Sequence, residues 1–186
     1  MAVESFERGG PELPAQADSG HPPDRGGAHP AVQDFYPEYY AHCFGCGRLN
    51  PTGLHVRSVE EGDDLVARIP PCRDEVARPG IAFAGHIVSL LDCHAVAAAA
   101  LAAHRARGRE MGDGPVAPFM TASMKVDHVR PTPAGVPYEL RARALFVQGH
   151  KVIVKVELRA GSLVCARAEV HAVEIPGTPG GARRLK

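Results

Sequence analysis

One stretch constrains this chain more than any other: RPGIAFAGHIVSLLDCHAVAAAALAAH, Arg78 to His104. It is the longest run able to form a single buried helix, and it opens on a turn containing Gly80 and Gly85. Leu, Ala and Val fill it, so it predicts a helix buried nearly all round. Asp92 is its only acidic residue. A carboxylate inside such a helix is costly unless something pairs with it, and this makes Asp92 the first candidate functional residue. Asp92 lies seven positions after Gly85, and at about 100° and 1.5 Å per residue the two share a face roughly 10 Å apart. That is too far for both to act on one carbonyl within one chain. An antiparallel pairing of the helix with a second copy would bring Gly85 of one chain to Asp92 of the other, twice. Each shared site would then hold a helix N-terminus with free N–H groups beside a carboxylate, suited to acyl transfer to water. Burial among alanines and leucines is expected to raise the pKa of Asp92 and strengthen it as a base.

Downstream the period changes from helical to two. Four strands are predicted: Phe119–Pro131, Tyr138–Val147, Lys151–Arg159 and Leu163–Val173. Leu140, Ala142, Ala144 and Phe146 are expected on one face of the second, and Val152, Val154, Val156 and Leu158 on one face of the third. The turns Gln148-Gly149-His150 and Ala160-Gly161-Ser162 are short, which implies an antiparallel meander. Upstream, LHVRSV and LVARIP flank the acidic turn EEGDD as a hairpin. The fold class is therefore α+β: one long helix wrapped by a curved antiparallel sheet. Residues 1–34 are rich in Pro, Gly and Asp and are expected to be a disordered tail, with the folded domain at 35–175 and a flexible tail at 176–186.

The 21 basic and 21 acidic residues balance, so no long-range field draws nucleic acid or an anionic membrane. Asp92 and His94 interrupt the apolar helix, and no stretch reads as membrane-spanning. No export signal is seen, so a cytoplasmic location with reduced thiols is expected. Cys43 and Cys46 form a CxxC amid turn formers; without a second pair it reads as a structural turn, and no metal or other cofactor is expected. Cys72, Cys93 and Cys165 read as unrelated to it, and Cys93 as a thiol kept protonated by mid-helix burial. His86 and His94 read as ordinary half-buried histidines.

Three segments carry a family resemblance. GIAFAGHIVSLLD resembles the helix-opening motif of hotdog-fold acyl-CoA thioesterases, the 4-hydroxybenzoyl-CoA and phenylacetyl-CoA thioesterase superfamily. FMTASMKVDHVRPTPAG resembles the same family's third-strand motif, and CFGCGRLNPTGLHVR the segment leading into its first strand. The resemblance spans about residues 40–175 and implies a hotdog fold and acyl-CoA hydrolysis by a homodimer or homotetramer. It also implies roles. Asp92 would be the catalytic acid, acting as base or nucleophile. The amides of Ala84 and Gly85 would form the oxyanion hole, and Thr121 would position water or carboxylate. Phe83 stands where the family often has His, and Ala84 replaces a Gly. Phe83, with Phe119 and Met120, would shape an acyl pocket, and His86 could face the substrate. Arg130, His150 and Lys151 would meet the phosphates of coenzyme A. The rival expectation is a non-catalytic hotdog module that binds acyl-CoA or a similar ligand, for which the Phe83 departure speaks. A dehydratase of the same fold lacks its His motif here. A zinc or redox CxxC protein is a further alternative that metal analysis would decide.

Overall fold

The computed structural model describes residues 29–72 and 74–175. A single 23-residue helix, α1 (Ala84–Ala106), packs against a six-stranded antiparallel sheet. The strands are β1 (Val59–Glu61), β2 (Asp64–Ile69), β5 (Phe119–His128), β6 (Tyr138–Gln148), β7 (Lys151–Ala160) and β8 (Leu163–Glu174), in the order β1-β2-β6-β7-β8-β5. A separate small hairpin, β3 (Val76–Arg78) with β4 (Ile81–Ala82), precedes the helix. This is the helix-in-sheet arrangement that the sequence periodicities predict, and β5 to β8 fall within three residues of their expected bounds.

Most of the helix is enclosed: Ile87, Leu90, Leu91, His94 and nearly every residue from Ala95 to Leu101 are buried. It meets Val152, Val154, Val156 and Leu158 of β7 and Ala166, Ala168, Val170 and Ala172 of β8 in one core cluster. By length and hydropathy alone α1 would suffice to cross a membrane, contrary to the sequence expectation, but 78% of its most apolar window is buried inside the fold, where it acts as a core helix. One stripe stays half-buried: Gly85, Val88, Ser89 and Asp92. These positions are i, i+3, i+4 and i+7, so Gly85 and Asp92 do share a face, and it is the open one.

Several boundaries differ from the sequence expectations. The folded region starts before residue 35: Ala31, Val32 and Gln33 are buried, and Val32–Phe35 is a short 3-10 turn tied by Val32 N to Ser58 O at 2.9 Å. LHVRSV contributes only Val59 to a strand. Its backbone pairs with the CxxC loop instead, Leu54 N with Phe44 O at 2.7 Å and Val56 N with Gly45 O at 2.9 Å, so period-two burial here reflects loop packing. In β6 the pairing slips between Ala144 and Phe146. This bulge turns Phe146 outward, 53% exposed, and sends Val147 toward the core instead. The C-terminal tail, 176–186, lies outside the described residues, as do residues 1–28.

Candidate active site

The helix N-terminus is capped by Phe83, in extended conformation and with no side-chain cap. The Phe83 carbonyl accepts from His86 N at 3.1 Å and Ile87 N at 3.3 Å. Among the described residues, no acceptor meets the N–H of Ala84 or Gly85, so two amides project from the positive end of the helix dipole. A Cβ at Gly85 would lie 2.4 Å from Cε1 of the Phe83 ring, so a side chain there would displace that ring. The Phe83 ring therefore lies over the first turn, 54% exposed. Ile81 and Ala82 are held against the segment following β5, with Ala82 N donating to Thr132 O at 2.9 Å and Ile81 bridged to Pro133. Arg130, exposed, sits in that same segment, with its N–H on Cys165 O at 3.2 Å.

Two turns along, Asp92 is half-buried rather than enclosed, and the Thr121 hydroxyl of β5 donates to its Oδ1. His94, His128 and Lys125 do not make this contact; Thr121, the residue singled out by resemblance, does. The hydroxyl fixes one carboxylate oxygen and leaves Oδ2 able to accept a proton. Tyr40 ties its hydroxyl to the Phe119 carbonyl at the start of the same strand, holding β5 near the helix. His150 and Lys151, both exposed, form the β6–β7 turn. Lys151 pairs across to Val173, and Val173 to Met120, so the turn is two strands, about 10 Å, from β5.

The predicted residues thus divide into two groups. Phe83, Ala84, Gly85 and Arg130 belong to the helix N-terminus; Asp92 and Thr121 lie roughly 10 Å further along it, with His150 and Lys151 two strands in from β5. His86 belongs to neither: it is buried, 100° round from Gly85, with Nε2 enclosed and unpartnered. Desolvation lowers its pKa, against a smaller opposing pull from Glu75, so the ring is neutral. His94 is fully buried rather than half-buried. Its Nδ1 accepts from Ser58 Oγ at 2.8 Å and its Nε2 donates to Leu65 O at 3.0 Å, and Gln33 completes the chain through Ser58 at 3.0 Å. Burial pushes its pKa down to about 4.

The cysteines depart most from expectation. Cys93 is not unrelated to the CxxC: its sulfur lies 3.8 Å from that of Cys43, and the sulfurs of Cys43, Cys46 and Cys93 all fall within 4.8 Å of one another. No periodicity in the sequence joins residue 93 to 43 and 46; only the folding of the loop over the helix does.

A concavity of about 730 Å³ lies elsewhere, on the sheet face away from the helix. It is lined by cross-strand charges such as Lys125, Glu169, Lys155 and Arg143, which pair along the sheet. It contains none of the predicted site residues.

A sequence model of the thioesterase superfamily matches residues 79–170. A thioesterase superfamily protein of Shewanella loihica PV-4 is 33% identical, with 74% of this chain and 97% of that one covered and a TM-score of 0.56. The PaaI protein from the phenylacetic acid degradation operon of E. coli is 15% identical over 67% of this chain and 83% of that one, TM-score 0.54. A thioesterase of Haemophilus influenzae is 17% identical over 70% and 85%, TM-score 0.55. At those identities the last two speak for the fold alone, which is the hotdog fold. The search of curated proteins gave no match.

Proposed function

We infer the activity from a premise and a geometry: this chain belongs to the thioesterase superfamily, and we propose that it hydrolyses an acyl-CoA thioester in a homodimer. The observation that carries the proposal is the Thr121–Asp92 hydrogen bond on the open stripe of α1, the same stripe that bears Gly85. Asp92 accepts the proton of a water molecule through Oδ2 as that water attacks the thioester carbonyl. The carbonyl oxygen takes up negative charge against the amides of Ala84 and Gly85 of the partner subunit, aided by the positive end of that helix. The intermediate collapses with cleavage of the C–S bond, and the coenzyme A thiolate leaves and takes a proton, freeing the acid.

The 10 Å between Asp92 and Gly85 within one chain is what favours a shared site, since antiparallel helices related by a twofold axis close that gap. The half-buried stripe is small-sided at Gly85 and Ser89, which suits close approach of a second helix. Phe83 and Met120, both more than half exposed, would line the acyl group and favour an apolar one. Arg130, His150 and Lys151 would meet the phosphates of coenzyme A, with Arg130 supplied together with the N-terminal group.

The exposed Phe83 in the place of a polar residue favours a second reading, an acyl-CoA-binding module without turnover. One experiment separates them. Purified protein is given short, aromatic and long acyl-CoAs, with thiol release and thermal stabilisation followed in parallel. Thiol release that Asp92→Asn abolishes supports hydrolysis. Stabilisation without release selects the binding module, and release unaffected by Asp92→Asn refutes the mechanism.

A further inference from the structure

The CxxC loop folds as a knuckle over the middle of α1. Cys43, Phe44, Gly45 and Cys46 make a turn closed by Gly47 N on Cys43 O at 2.8 Å. Gly45 is where loop meets helix: a Cβ there would lie 2.1 Å from Cys93 Sγ. Gly47 is equally confined, its absent Cβ falling 2.4 Å from Ala41 O. The two glycines let the backbone descend until three thiols meet. Cys46 and Cys93 are buried and Cys43 half-buried.

The spacing of these sulfurs is informative. Tetrahedral zinc with Zn–S bonds of about 2.3 Å places its sulfurs about 3.8 Å apart. Cys43 and Cys93 are 3.8 Å apart, and all three lie within 4.8 Å. A disulfide would need two sulfurs at about 2.05 Å and would leave the third unused. The CxxC also lacks the setting of a redox pair at a helix N-terminus, since it lies in a turn.

A second observation is independent of the sulfurs. The Tyr36 hydroxyl is buried with no hydrogen-bond partner, and Tyr36 belongs to the same core cluster as Cys46 and Cys93, with Cys43 packed against it. Buried hydroxyls without partners are rare and costly. A thiolate, or a water held on a metal, would satisfy it.

We propose that Cys43, Cys46 and Cys93 form a three-thiolate site for a soft d10 cation, zinc first, with the fourth position taken by water beside the Tyr36 hydroxyl. Among the described residues no fourth His, Cys, Asp or Glu ligand atom joins the group. Binding expels the remaining thiol protons to solvent as three metal–sulfur bonds form. The site pins the segment before β1 to the helix at the residue next to Asp92, and its role is structural. It replaces the sequence-based expectation that the CxxC binds no metal, and it does not depend on the thioesterase reading.

The test uses the full chain purified under reducing conditions. Zinc is measured by elemental analysis, and a thiol-blocking mercurial is then used to release it. We expect one zinc per chain. After exchange under anaerobic conditions, Co²⁺ should give a near-ultraviolet thiolate-to-metal band and the strong visible bands of a tetrahedral site. Cys43→Ser, Cys46→Ser and Cys93→Ser should each lose or markedly weaken the bands, while Cys72→Ser and Cys165→Ser should retain them. Should the first three variants fail to fold, cobalt titration of the folded parent decides, since the band either saturates at one equivalent or does not form. Absence of the band in reduced, folded protein overturns the proposal. So does a band unchanged in Cys93→Ser, or a Cys43–Cys46 disulfide with no zinc in protein prepared without reductant.

Discussion

Replacing Thr121 by Val removes one hydroxyl and almost nothing else. The side chain keeps its shape, β5 keeps its ladder with β8 through Thr121↔Ala172, and Asp92 loses the donor on Oδ1. A hydrogen bond to a charged group contributes about 1.5–3 kcal/mol. If it holds the carboxylate in place only as the proton is transferred, at about 1.36 kcal/mol per factor of ten, kcat should fall by about 10- to 150-fold. Thr121 touches the carboxylate, not the substrate, so it is a positioning residue, and KM for the acyl-CoA should stay within about twofold of the parent value. Thr121→Ser restores the donor and should recover most of the rate. Steady-state thiol release from the best acyl-CoA measures both parameters, with thermal unfolding to establish that each variant is folded. An unchanged kcat in Thr121→Val refutes the reasoning, as does a Ser variant as impaired as the Val variant, or a defect confined to KM.

Other expectations follow from the same geometry. Asp92→Asn should lower kcat by on the order of 10²–10⁴, the usual worth of a positioned base, with folding retained by circular dichroism. Gly45→Ala drives a Cβ into the buried Cys93 sulfur, an overpacking that should cost about 1–3 kcal/mol in urea unfolding. An unchanged midpoint would mean that the loop does not pack on the helix as described. His94 titrates near 4 folded and near 6.5 unfolded. Between those values the unfolded chain binds the extra proton, so stability is full above pH 6.5 and falls as the pH drops toward 4, by about 3 kcal/mol. His94→Gln, compared with the parent at pH 7 and pH 4.5, should show a shallower loss; equal slopes would remove His94 as the cause.

Much of this architecture was legible because single periodicities decided it. The meander β6–β7–β8 alternates over most of its length, with two-residue turns, so its strands and their order follow from the pattern. The helix was legible for the same reason, and so was the shared stripe of Gly85 and Asp92, which follows from 3.6 residues per turn. What failed did so where one residue of slippage or one long-range contact intervened. Phe146 obeys the period of its strand until the bulge after Ala144 reverses it. LHVRSV alternates like a strand, yet its amides are taken by Phe44 and Gly45. Val32 is the only large aliphatic residue in its stretch of the N-terminal segment, too weak a signal to mark the start of the domain, but Ser58 and its own burial place it there. Thr121 could be reached by resemblance alone, because nothing local in FMTASMKVDH distinguishes a hydroxyl that meets a carboxylate on the helix from one that meets solvent.

Asp92 and Cys93 show why the helix had to be read by face rather than by composition. Consecutive residues point about 100° apart. On one side Asp92 meets β5, on the open stripe where a substrate and a second helix would gather. On the next side Cys93 meets the glycine knuckle. A change that loosens the knuckle therefore acts on the carboxylate through a single backbone step, without touching the reacting atoms. If the thiols hold a metal, its removal should lower kcat in step with the loss of helix–loop packing. If they are only a packed turn, chelators should leave kcat untouched, and Gly45→Ala should destabilise the fold without separating the rate from the stability. Measuring kcat and urea midpoint on the same chelated sample distinguishes the two, because a turn without metal gives the chelator nothing to remove and leaves both unchanged.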